Sequence, residues 1–160
     1  IEQSQGRPVP AFAAFHIPTH EFIDAEIEKG YRTEDKPFYT IGVDVPAKDA
    51  DFGCKYENYY TYSVLPGNHL DFFKACYVDG VFVGHHHGVN TCISHEGIRW
   101  IFGLKTGQYD YHLPYLLGGT LVTLEGNAFS VMHTPSLVYC TNFAQDSRVF
   151  TGFFADDTPV

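Results

Sequence analysis

Five consecutive residues, Gly84-His85-His86-His87-Gly88, place three imidazoles directly behind the apolar run Tyr77-Val78-Asp79-Gly80-Val81-Phe82-Val83. Side chains of an extended chain alternate between two faces. His85 and His87 are therefore expected to point one way and His86 the other. Two imidazoles one pleat apart can reach a single divalent ion, and imidazole suits zinc, copper, iron and nickel. Gly84 and Gly88 leave the backbone free to bend around such a site. The remaining histidines read more plainly. His133 is expected as a hydrogen-bonded interior residue. Ser94-His95-Glu96-Gly97 reads as an exposed turn, and Pro18 between His16 and His20 argues for two surface histidines rather than one helix face.

Aromatic residues are the second resource. With 14 Phe and 11 Tyr, most are expected to pack the core and sheet faces. Trp100, Phe102, Tyr109 and Tyr111 alternate along the chain and are placed to line an apolar pocket for a small aromatic or acyl ligand. Other chemistries lack their motifs. The chain has no G-x-S-x-G elbow, phosphate loop or dinucleotide fingerprint. Its scattered acids, Glu96 and Glu125 among them, single out no catalytic carboxylate pair.

The elements that must position these residues are mostly strands. The 160 residues suffice for one domain with a full core, and the aromatic enrichment favours sheet. Residues 1–10 read as a loose arm and 11–160 as a single β domain. Ala11 to Ile17 reads as a first strand. One short helix follows, with Thr19 as N-cap, Ile23 and Ile27 four apart, and Gly30 as its stop. Strands are then expected at Phe38–Val45, Tyr56–Leu65, His69–Val78, Val89–Ser94, Ile98–Leu104, Gln108–Leu113, Thr120–Leu124, Phe129–His133, Ser136–Asn142 and Arg148–Phe154. Asp79-Gly80 and Glu96-Gly97 carry hairpin signals. Short strands at such spacing are the pattern of an antiparallel sandwich or barrel.

Charge narrows the partners. Nineteen acids against ten Lys plus Arg give a net charge of −9, which argues against nucleic acid or an anionic membrane surface. No apolar run approaches the ~20 residues of a membrane helix. Cys54, Cys76, Cys92 and Cys140 are widely spaced and form no C-x-x-C pair. Buried reduced thiols are the simplest expectation, and disulfide pairing and compartment stay open. A chain that opens at Ile1 without an initiator Met is expected to be a processed or trimmed form.

The order of these segments resembles the cupin superfamily, double-sheet jelly rolls that hold a metal inside the barrel. The likeness is to the branch with dihydroxyacetophenone dioxygenases and anti-sigma-type cupins. It rests on Val78-Asp79-Gly80-Val81-Phe82-Val83 leading into His85-x-His87 and Gly88. Arg99-Trp100-Ile101-Phe102 and Gly107-Gln108-Tyr109-Asp110-Tyr111-His112-Leu113-Pro114 follow, and the likeness covers about residues 56–143. The chain departs from the pattern twice. Thr91 and Cys92 stand where a carboxylate or imidazole usually follows His-x-His, and the downstream histidine position falls near Gly118-Gly119-Thr120.

The resemblance implies an all-β, single-domain jelly-roll antiparallel barrel with one short N-terminal helix. It further implies a divalent metal, Fe(II) or Zn(II), held by His85, His87 and a third group from His133 or Cys92. The activity implied is oxygen-dependent cleavage of a small aromatic or keto substrate, with Trp100, Phe102 and Tyr111 against the substrate and His133 and Tyr109 catalytic. Cupins commonly pair through sheet edges, so the resemblance also implies a homodimer. Two other readings stay open from the residues. One is a metal-free isomerase or cyclase that uses His133 or a tyrosine for proton transfer. The other is a secreted β-barrel that binds a small apolar ligand and does no chemistry.

Overall fold

The computed structural model describes residues 11–41, 50–58, 65–107, 110–126 and 128–135. Among these residues eight strands and two short helices follow one another as β1 (Ala11–Ala14), α1 (His20–Glu28), β2 (Tyr39–Ile41), β3 (Gly53–Lys55), α2 (Leu70–Ala75), β4 (Val78–Val83), β5 (Cys92–His95), β6 (Ile98–Phe102), β7 (Gly118–Glu125) and β8 (Ala128–Pro135). The chain is thus strand-rich with few helices. Among the described residues no helix is long and apolar enough to cross a membrane.

A four-stranded sheet ordered β1-β4-β6-β5 forms the centre, flanked by the two-stranded pairs β2-β3 and β7-β8. Its pairing differs from the antiparallel expectation. β1 runs parallel to β4 and β4 parallel to β6, and only β5-β6 is antiparallel. The described strands close no barrel. Strand alternation explains how both faces of this sheet are covered. Trp100 and Phe102 point to the helical side, where Phe22 of α1 meets their rings edge-on at 5.2 and 4.9 Å and Phe73 of α2 meets Trp100 at 5.8 Å. On the other face Ile101 and Cys92 pack with Phe52 of the β2-β3 side and Val131 of β8.

The expected helix after Thr19 is present as α1, and the Glu96-Gly97 turn joins β5 to β6. Both turn residues have positive φ (53° and 80°), the conformation a tight hairpin demands. The β7-β8 hairpin also forms where the alternation placed it.

Three expectations are corrected. The strand expected over His69–Val78 is in part the helix α2, whose first N–H groups, those of His69 and Leu70, are taken up by the Glu21 carboxylate of α1. That tertiary cap offsets the aromatic residues' preference for strand. Asp79-Gly80 makes no turn, and β4 runs straight through it. Gly80 is there for space: a Cβ would stand 3.1 Å from the rings of Phe12 and Phe129. The strand expected over Gln108–Leu113 is absent from Asp110 to Leu113, which lead into a single 3-10 turn at Pro114–Leu116. The arm 1–10, most of the Tyr56–Leu65 segment and the two last expected strands lie outside the described residues.

Candidate functional site

Parallel pairing brings the carboxyl ends of β1 and β4 to the same edge of the sheet, so the residues just past each strand become neighbours. The Gly84 N–H donates to the His16 carbonyl (3.1 Å), and the Gly103 N–H, just past β6, donates to the Val83 carbonyl (3.0 Å). Beyond Val83 the chain leaves the extended conformation. The His86 N–H donates back to the Gly84 carbonyl (2.8 Å) across His85, whose φ is 71°. This is a γ-turn of the strained, positive-φ kind.

The turn corrects the expected alternation. His86, expected to face away, is the buried member of the run, and His85 and His87 are half-buried. Each ring meets a different partner. His85 Nδ1 lies 3.3 Å from His16 Nε2, with the two rings nearly perpendicular and 5.0 Å apart. His86 Nδ1 lies 3.2 Å from Glu57 Oε1. His87 donates from Nδ1 to the Tyr111 carbonyl (2.6 Å), and its ring lies nearly parallel to the Tyr111 ring at 6.5 Å.

Glu57 holds the bend together. Its second oxygen accepts from the Gly88 N–H (2.8 Å), and the Tyr56 N–H donates to the Gly88 carbonyl (2.8 Å). Burial alone would raise the Glu57 carboxyl, but the hydrogen bonds and charge of His86 and the Gly88 N–H bring it below its usual range. His85 is shifted down from the ordinary imidazole value by burial first, then by the neighbouring His86 and His16. Three exposed tyrosines flank the cluster. The Tyr56 and Tyr115 rings meet edge-on at 6.2 Å, and Tyr111 lies close enough to feel the Glu57 charge.

The other predicted residues lie elsewhere. His133 is fully engaged: its Nε2–H donates to the Asn90 carbonyl (2.6 Å), and its Nδ1 faces the Thr120 hydroxyl (3.0 Å). The Leu104 N–H donates to the same hydroxyl (3.0 Å). This chain of bonds fits the neutral ring. Burial shifts its pKa down, against the Asn90 carbonyl, which favours the proton. Cys92 is fully buried, its sulfur accepts from Arg99 Nε (3.1 Å), and burial pushes its thiol up to about 11. Trp100 and Phe102, 1% and 0% exposed, sit in the packed core. Tyr109 lies outside the described residues.

The donor set that the cupin resemblance implies therefore does not fit an ion here. Among the described residues no three His, Cys, Asp or Glu side chains converge as metal ligands. His16 and Glu57 are the site residues that sequence reasoning missed, and the pairing of β1 with β4 is the signal that would have exposed His16. A separate cleft of ≈ 260 Å³, at the opposite end of β4, is lined by Lys74, Tyr77, Asp79 and Glu96 and holds none of the predicted residues. Comparison with family models, with curated proteins and with solved structures finds no match.

Proposed function

We propose that the histidine edge is the active site of an enzyme that moves a proton on a small keto or aromatic substrate, as an isomerase or cyclase does. The observation that carries this reading is the direct contact of His16 Nε2 with His85 Nδ1 at 3.3 Å. When His85 donates its Nδ1–H to His16, its Nε2 holds the lone pair, the tautomer a general base needs. The Nε2 of His85 takes the proton from the carbon beside a carbonyl, and the electron pair of that C–H bond moves into an enolate. With an α-hydroxy carbonyl substrate the intermediate is an enediolate, and return of the proton to the former carbonyl carbon, with the hydroxyl proton passing to the other oxygen, completes an isomerisation. The positive charge gained by His85 is shared across its hydrogen bond with His16.

The substrate class rests on exposed phenol rings that offer stacking surface: Tyr111, nearly parallel to His87, and Tyr56 and Tyr115, which meet edge-on. The site lies at the carboxyl ends of parallel strands, where open sheets commonly receive ligands. The β1-β4 pair alone positions these groups; the jelly roll is a proposal from the cupin resemblance.

The test is solvent exchange. The untagged chain, incubated in D2O with a panel of small hydroxyketones, aryl ketones and keto acids, should exchange a carbon-bound hydrogen of at least one compound, read by proton NMR. His85→Gly keeps the positive φ and should slow that exchange by about 10²–10⁴-fold. Equal rates for the two proteins would refute the proposal.

A further inference from the structure

The contact between His16 and His85 has a second chemical meaning. Two imidazole nitrogens bound to one tetrahedral zinc at about 2.0–2.1 Å stand about 3.3–3.4 Å apart. The 3.3 Å between His16 Nε2 and His85 Nδ1 matches that separation. The backbone brings the two residues side by side, with His16 exposed and His85 half-buried. His16 is fixed by its carbonyl's bond from the Gly84 N–H, and its ring lies against Gly84, where a Cβ would meet His16 Nδ1 at 3.6 Å. His85 is turned toward it by the φ of 71°, a conformation that a residue with a side chain adopts only when its surroundings impose it.

From these observations we infer that His16 and His85 form a two-imidazole clip for a transition-metal ion of the copper(II), nickel or zinc class. The ion takes the place of the hydrogen bond between the two nitrogens, with the His85 proton carried on Nε2, and water or a small ligand fills the other coordination positions. This clip differs from the ligand set drawn from the cupin resemblance, because His87, His133 and Cys92 take no part. Copper(II) should bind tightest, following the general order of divalent first-row metals. Binding should move the single N–H of neutral His85 from Nδ1 to Nε2, since only an unprotonated nitrogen ligates. An ion there would occupy the His85-His16 hydrogen bond on which proton transfer is proposed to draw. The binding itself is measured without turnover, so it stands or falls apart from that proposal.

The test uses copper(II) and zinc(II) alone, titrated into the untagged full chain by calorimetry, with the copper signal followed by electron paramagnetic resonance. One ion per chain is expected, with nitrogen hyperfine structure from two imidazoles. His16→Asn and His85→Gly should each weaken binding about tenfold or more, and the His85→Gly variant keeps the backbone conformation available. His87→Ala and His69→Ala should leave the affinity within about twofold of the parent. Absence of stoichiometric binding, survival of full affinity in both clip variants, or equal loss on replacing His87 or His69 would overturn the inference.

Discussion

A single backbone dihedral sets the contacts of the histidine run. With φ of 71° at His85, the ring turns toward His16, 69 residues away in the chain, and His86 goes inside against Glu57. The sequence marks Gly84–Gly88 as the candidate site, because three imidazoles between glycines are legible without structure. It does not mark His16, since a parallel pairing between distant strands leaves no local pattern. A second residue-scale constraint is Gly53, at φ 105°, where a Cβ would lie 2.4 Å from the Asn90 carbonyl oxygen. Asn90 also accepts from the Cys54 N–H (2.8 Å) through its side chain and from His133 through that carbonyl. Gly53→Ala combines backbone strain with a clash against immobile backbone. We expect it to cost about 3 kcal/mol or more, read by urea denaturation.

At the scale of elements, α1 was legible in its bounds, from Thr19 to Gly30, but not in its buried face: Ile27 is exposed, and Phe22 and Ala25 turn inward with Glu21 and Glu26. Helix α2 was not, because the group that satisfies its first N–H groups is the Glu21 side chain, 48 residues before His69. Burial pushes the Glu21 carboxyl up, and the Thr19 hydroxyl together with the His69 N–H holds it below the ordinary value of 4.5. A carboxyl with a depressed folded-state pKa stabilises the protein above about pH 4.5, and that stabilisation is lost as pH falls through the lower value. Glu21→Gln should therefore destabilise the protein by about 1–2 kcal/mol at pH 7. The gap from the parent should shrink toward pH 3, measured by denaturant unfolding at the two pH values. A gap that does not change with pH would show that the carboxylate's charge is not what holds the helix start.

Across the whole molecule, the strand-rich character followed from composition and from turns such as Glu96-Gly97, but the order of strands did not. Gly80 shows why: Asp-Gly is a hairpin signal when read alone, and here the glycine sits between the parallel neighbours β1 and β6 and makes room for Phe12 of β1 and Phe129 of β8. The layers are joined by an ion pair that hydropathy does not reveal, Lys55 of β3 to Glu26 of α1 at 3.0 Å, both nearly inaccessible to solvent, with Arg32 3.7 Å from the same oxygen. Lys55→Met removes one buried charge and leaves the other, and should cost about 3–5 kcal/mol in denaturant unfolding. Adding Glu26→Gln should recover a large part of that loss.

The thiols give a further check on the packing. Cys76 is exposed, whereas Cys54 and Cys92 are buried and their thiols are pushed up to about 11. At pH 8 an alkylating reagent should label Cys76 in the native protein and reach Cys54 and Cys92 only on unfolding, as read by mass spectrometry of the peptides. Both the proton-transfer proposal and the metal clip depend on one geometric claim, the contact of His16 Nε2 with His85 Nδ1. The most direct measurement is a long-range proton–nitrogen NMR spectrum of the imidazoles, recorded for the parent chain and for His16→Ala. The account predicts that the His85 Nδ1 resonance moves on losing its partner while both His133 nitrogens stay in place. A His85 Nδ1 signal indifferent to residue 16 would contradict it.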